Sequence, residues 1–103
     1  MFGVLHVDGT GDSNPPIESL SDLYDELLTA EPEHGDVAVI NDDTGWSISA
    51  HRDGRVILEN LAVPGTKRHM TNVTKERALS IWRRLINGEI DGLLKEAWKE
   101  GYK

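Results

Sequence analysis

At 103 residues, 38% hydrophobic and 28% charged, the chain has the size and composition of one globular domain with one modest core. It has no Cys, which excludes disulfides, thiolate zinc sites and cysteine nucleophiles, and its net charge of −7 argues against nucleic-acid and anionic-membrane partners. The charge is unevenly placed: the first 51 residues carry eleven carboxylates and no Lys or Arg, and the remaining 52 carry seven acids and eleven bases.

In chain order, residues 2–7 form a short apolar run ending in Asp8-Gly9, which predicts a strand and a turn. The N-terminal stretch has no basic n-region and only this short apolar run, so a signal peptide is not expected. No apolar stretch approaches the ~18 residues of a membrane span, and a cytoplasmic location is expected. Residues 9–16 (GTGDSNPP) read as a loop. Leu20, Leu23, Tyr24, Leu27 and Leu28 then recur on one face of a 3.6-residue period and predict a helix. Ser19 is its candidate N-cap, Asp22 the capping-box partner, and Pro32 and Gly35 its stop.

Three strands follow, at 37–40, 46–51 and 56–58, joined by the turns Asn41-Asp42-Asp43-Thr44-Gly45 and Arg52-Asp53-Gly54-Arg55. Connections this short make neighbouring strands antiparallel. Residues 64–72 (PGTKRHMTN) read as a basic loop. Thr74 caps a helix bearing Ala78, Leu79, Ile81, Trp82, Leu85 and Ile86, and Asn87-Gly88 ends it. A last short helix is expected over 90–98, on Ile90, Leu93, Leu94, Ala97 and Trp98, before Gly101. The order β-α-β-β-β-α-α predicts a single α+β domain. Its antiparallel sheet of about four strands has helices on one face and a partly solvated opposite face.

Catalytic templates do not fit. Gly9-Thr10-Gly11 lacks the third glycine of a dinucleotide loop, and Asp8, Asp12 and Asn14 lack the spacing of a calcium loop. His6, His34, His51 and His69 fall in four separate segments without zinc-ligand spacing. Ser19, Ser21 and Ser80 sit in helix caps or faces, away from any nucleophile elbow. Neighbouring acids such as Asp42 and Asp43 in a tight turn ordinarily hydrogen-bond their own backbone. No catalytic residue, cofactor or metal site is therefore expected.

Binding features are stronger. On a helical wheel Glu18, Asp22, Asp25 and Glu26 fall within about 100° of one another, opposite the apolar face. Like charges four apart destabilise a helix by ~0.2–0.5 kcal/mol per pair, and no base in this helix relieves them. The plain reading is a solvated face, with Glu18 and Asp22 also favoured by the helix dipole. The functional reading is an acidic contact face. Trp46 opens a strand beside Asp42 and Asp43. It reads either as core, from its alternation with Ile48, or as an aromatic anchor ringed by acids. Trp82 and Trp98 read as core. Lys67, Arg68, His69, Arg77 and Arg84 either pair with the acidic half or lie away from it and make the molecule dipolar.

An acidic helix (SLSDLYDELLTA), a three-strand meander (DVAVINDDTGWSISAHRDGRVILEN), a Thr-capped helix (TKERALSIWRRLING) and a terminal segment with a Trp succeed one another over residues 17–98. This pattern resembles the small α+β immunity proteins of bacterial polymorphic toxin systems, of the type encoded beside deaminase toxins. That family tends to finish in a short extended piece carrying its Trp, where this chain reads as helix. The resemblance implies a non-catalytic cytoplasmic protein that binds a cognate toxin with a basic surface and blocks its active site or substrate groove. The expected contacts are Glu18, Asp22, Asp25, Glu26, Asp42, Asp43 and Trp46, with no nucleic acid and no membrane as partner. Tight inhibition calls for an interface of about 1,600 Å² with a few dominant contacts. The alternative is a small acidic regulatory or adaptor domain that binds another basic protein. A third reading is a small enzyme or ligand-binding protein, which a deep pocket holding His51 or His6 beside a carboxylate would favour.

Overall fold

The structure, a computed structural model, describes residues 1–29, 36–96 and 98–100. The helix stop expected at Pro32 and Gly35, together with His34, Ala97 and Gly101, lies outside the described residues. In chain order the elements are β1 (Phe2–Leu5), β2 (Gly11–Ser13), α1 (Ser19–Thr29), β3 (Asp36–Asn41), β4 (Trp46–His51), β5 (Val56–Asn60), β6 (Arg68–Met70), α2 (Lys75–Ile86), α3 (Ile90–Leu94) and β7 (Lys99–Glu100). The strands form one antiparallel sheet in the order β2-β1-β3-β4-β5-β6-β7. Because β2 and β3 flank β1 and each opposes it, they run parallel to each other, and α1 makes the crossover between them.

The α+β class and the β3-β4-β5 meander are as expected, but the sheet is wider than the expected four strands. The Asp8-Gly9 signal closes a hairpin: His6 donates its amide to the Thr10 carbonyl at 2.8 Å, Gly9 takes φ +89°, and residues expected in a loop pair with β1 as β2. Within the expected basic loop, Arg68, His69 and Met70 pair with Leu58, Ile57 and Val56. The expected 90–98 helix stops at Leu94, and the chain passes Trp98 into β7 beside β6. Ser19 is the first helical residue, not the cap. Its hydroxyl donates back to the Pro16 carbonyl at 2.6 Å.

Alternation along the strands directs Phe2, Val4, Val37, Val39, Ile48, Ala50, Val56 and Leu58 to one face. Leu20, Leu23 and Leu27 of α1 and Ala78, Ile81, Trp82 and Leu85 of α2 close over them. The opposite face mixes the exposed Leu5 and half-buried Ser49 with buried Ala38, Ser47, Ile57 and His69. Thr74 caps α2 by accepting the Arg77 amide at 3.2 Å, and Gly88 follows the Asn87 C-cap at φ +78°.

Trp82 is completely buried, its Nε1–H donates to the Ile48 carbonyl at 2.9 Å, and its ring meets Tyr24 of α1 edge-on at 6.2 Å. Trp82→Phe keeps most of the packing and removes the donor. We expect it to cost about 1–2 kcal/mol, read as a lower urea midpoint with an unchanged slope. Trp82→Ala is expected to cost about 3–5 kcal/mol.

Candidate functional site

The antiparallel register gives the sheet two ends with different chemistry. At one end lie the start of β1, the 42–45 turn and the 61–66 loop. Asp42 donates its amide to the Met1 carbonyl at 3.1 Å, and Leu61 donates its amide to the Gly45 carbonyl at 2.9 Å. The C-terminus of α2 arrives at the same end. Asn41, buried at the end of β3, donates through Nδ2 to the Leu85 carbonyl at 2.8 Å, and its Oδ1 accepts the amides of Asp43 and Thr44. One side chain thus adds a second donor to the Leu85 carbonyl, which also accepts the Gly88 amide at 3.1 Å, and fixes the acidic turn. The entry to α1 belongs here too, since Asn14 exchanges hydrogen bonds with the backbone of Phe2. At the other end lie the 7–10 turn, the C-terminal half of α1, the 52–55 turn and the start of α2, where Val73 donates its amide to the Gly54 carbonyl at 2.8 Å.

The seven expected contact residues divide between these ends. Asp42, Asp43 and Trp46 sit at the first, with Glu18 at the entry to α1. Glu18, Asp22 and Asp42 are exposed and have no ion-pair partner among the described residues. Asp43 is exposed and receives the Met1 ammonium at 3.0 Å. Trp46 is half-buried and packs on the rim of the core, between the two readings given to it. At the second end the chain's own groups hold both acids. Lys75, the first residue of α2, reaches Asp25 at 2.7 Å, and Glu26 binds His6 at 2.7 Å and the Val7 amide at 3.0 Å. The acidic stripe of α1 is therefore outward-facing in its first half and built into the fold in its second.

The basic residues distribute accordingly. Lys75 crosses to the acidic half, to Asp25 of α1. Arg77 and Arg84 converge on Glu96, at 2.5 and 3.1 Å, and hold that carboxyl below its ordinary pKa, Arg84 first and Arg77 second. Lys67 faces Glu59 at 4.0 Å, and Arg55 lies 3.9 Å from Asp53.

His6 gave no signal in the sequence, because its partners are 6 and 20 residues away. Its Nδ1 lies 2.7 Å from Glu26 and its Nε2 2.6 Å from Asp12. Only imidazolium donates at both nitrogens, so the pair of carboxylates favours the charged ring. Glu26 most, then Asp12, raise its pKa above 6.5. His51, on the open face, shifts the other way: burial lowers its pKa, and among the described residues its Nε2 has no hydrogen-bond partner. Among the described residues no cluster of His, Asp and Glu is arranged to hold a metal ion, and no helix is long and apolar enough to cross a membrane.

Exposed apolar groups are the feature the sequence reading passed over. Leu61 and Val63 lie 59% and 50% exposed in the loop beside Gly45, next to the acidic turn. No protein-family model, curated protein or solved structure matches the chain.

The His6 clamp joins β1, β2 and α1, and its pH dependence has a definite sign. A histidine whose folded pKa lies above 6.5 adds stability that is fully present below about pH 6.5 and is lost as pH rises through the folded value. His6→Gln is therefore expected to lower the thermal midpoint at pH 6. The gap from the unaltered chain should narrow by pH 9, and a gap independent of pH would sink the clamp.

Proposed function

We propose that this chain is an immunity protein that binds and neutralises a cognate bacterial toxin, one with a basic surface that acts on nucleic acid, such as a deaminase. The observation that carries the proposal is the set of carboxylates left facing solvent without a cation among the described residues: Glu18 and Asp22 at the start of α1, and Asp42 on the β3-β4 turn. Such a surface presents to a polynucleotide-binding groove the charge that groove was built to hold, and it speeds encounter by steering. The terminal segment lends further support. The resembled family tends to finish in a short extended piece carrying its Trp, and here Trp98 lies outside the last helix and directly precedes the two-residue strand β7.

Within this reading the protein performs no chemistry. His6 is the histidine that sits between carboxylates, yet both of its nitrogens are engaged, by Glu26 and Asp12, so neither is open to a substrate proton. Asp25, Glu26 and Asp43 contribute less to the contact surface than their position on the wheel or turn suggested, because Lys75, His6 and the Met1 ammonium already hold them.

An immunity gene lies directly after its toxin gene, so the product of the adjacent gene is the protein to test. The proposal expects that product to arrest growth when expressed alone and to be harmless when co-expressed with this chain. An adaptor for some other basic protein predicts no such rescue. The double substitution Asp22→Lys, Asp42→Lys is expected to leave the thermal midpoint within a few degrees. It should weaken the complex with the adjacent product by well over tenfold, chiefly through a slower and less salt-sensitive association rate. Unchanged affinity would remove the acidic surface from the interface.

A further inference from the structure

Four of the six large apolar side chains exposed among the described residues belong to one end of the sheet: Met1, Ile17, Leu61 and Val63. Two of them, Leu61 and Val63, sit on a loop that hydrogen bonds tie to its neighbours. Asn60 receives the Ala62 amide on Oδ1 at 2.9 Å and donates through Nδ2 to the Thr44 carbonyl at 3.3 Å. Thr66 Oγ1 accepts the Asn60 amide at 2.9 Å and donates to the Val63 carbonyl at 3.0 Å. Together with the bond from the Leu61 amide to Gly45, these contacts fasten the loop to the Asp42–Gly45 turn. Two aliphatic side chains are thus kept in water by a network of five hydrogen bonds, where a slack loop would let them fold back onto the protein.

The surroundings of this loop select a partner. Residues 41–46 and 60–66 contain Asp42 and Asp43 and no Lys or Arg. Lys67, just beyond, faces Glu59, and the Met1 ammonium faces Asp43. Trp46 is half-exposed at the same edge, paired in register with Asn60. The patch is an apolar centre with an anionic rim. A second copy of the chain would set Asp42 and Asp43 against their own equivalents across a two-fold axis, and a polynucleotide would meet the same acids.

We infer that this end of the sheet is the docking patch for the toxin's basic surface. Leu61 and Val63 are the anchors that enter an apolar depression on the partner, and Asp42 meets the Arg or Lys that rims it. The inference rests on the toxin-neutralising reading and adds where, and by which side chains, the partner is held. Anchors of this kind govern how slowly a complex dissociates, whereas rim charges govern how fast it forms.

The test uses the 103-residue chain and the purified product of the adjacent gene, with binding kinetics measured for Leu61→Asp, Val63→Asp and Leu28→Asp. Leu28, equally exposed at 60% but in the C-terminal half of α1, is the control. The expected result is at least tenfold weaker binding for each of the first two, mainly through faster dissociation, with Leu28→Asp within twofold of the unaltered chain and all thermal midpoints alike. If either loop variant melts early, Leu61→Ser with Val63→Ser replaces it, the same loss being expected. Loop variants that bind like the unaltered chain, or a larger loss in Leu28→Asp, overturn the inference while the immunity role stands. An adjacent product that does not bind the unaltered chain overturns the immunity role itself. A chain that sediments as a dimer, and as a monomer once Leu61 is changed, assigns the patch to self-association instead.

Discussion

A sheet this small must have one face covered, and the cover is made by helices that do not hold themselves up. An isolated helix shorter than ~12–15 residues is marginal in water, and α1 spans 11 residues and α2 spans 12. Their persistence depends on the apolar stripe that α1 lays on β3 and that α2 lays on β3 and β4. Trp82 is the centre of that contact. It occupies the space between both helices and the sheet, and its indole N–H finds the Ile48 carbonyl, which removes the usual cost of burying this ring. The acids that α1 carries are positioned by how α1 and α2 are set over this side chain.

The acidic half of the sequence is spent in two ways. Toward the C-terminal end of α1, carboxylates act as structural acceptors: Asp25 draws in Lys75 at the start of α2, and Glu26 gathers His6 and the Val7 amide. Exposed pairs of this kind are worth little singly, ~0–1 kcal/mol, but here they join segments far apart in sequence. Toward the N-terminal end, Glu18, Asp22 and Asp42 do no such service among the described residues. Left facing solvent, they are the part of the acidic half on which the proposed toxin contact draws.

Much of the fold could be read from local pattern. Trp46–His51 and the α2 cap and stop sit where alternation, Thr74 and Gly88 place them, because each rule there concerns residues within a few positions of one another. The three short strands were invisible for the opposite reason. Gly11–Ser13, Arg68–Met70 and Lys99–Glu100 have too few residues to show a period, and pairing with β1, β5 and β6 is what makes them strands. The helix expected over 90–98 was cut by a tertiary contact. Arg77 and Arg84 capture Glu96, and the Trp98 indole turns back to the Leu93 carbonyl at 2.6 Å, so the chain leaves the helical path after Leu94. The candidate site shows the same division. The acids of α1 were legible as a stripe, but which of them face solvent depended on Lys75 and His6, distant in sequence. Leu61 and Val63 escaped notice because their segment is a loop, where apolar residues carry no periodic signal.

The end of the molecule carrying these two residues owes its shape to Asn41. This side chain is buried where β3 leaves the sheet, and it spends its donor on the α2 carbonyl of Leu85 and its acceptor on the amides of Asp43 and Thr44. The turn it fixes carries Asp42, and the Gly45 carbonyl at its close accepts the Leu61 amide. A single buried amide therefore sets helix, acidic turn and apolar loop in one frame. Affinity is lost when a loop must be ordered on binding, so a patch ordered in advance binds more tightly at the same buried area. A mostly short-range network at the edge of a 103-residue domain thus gives the proposed toxin contact a pre-set surface without a large core behind it.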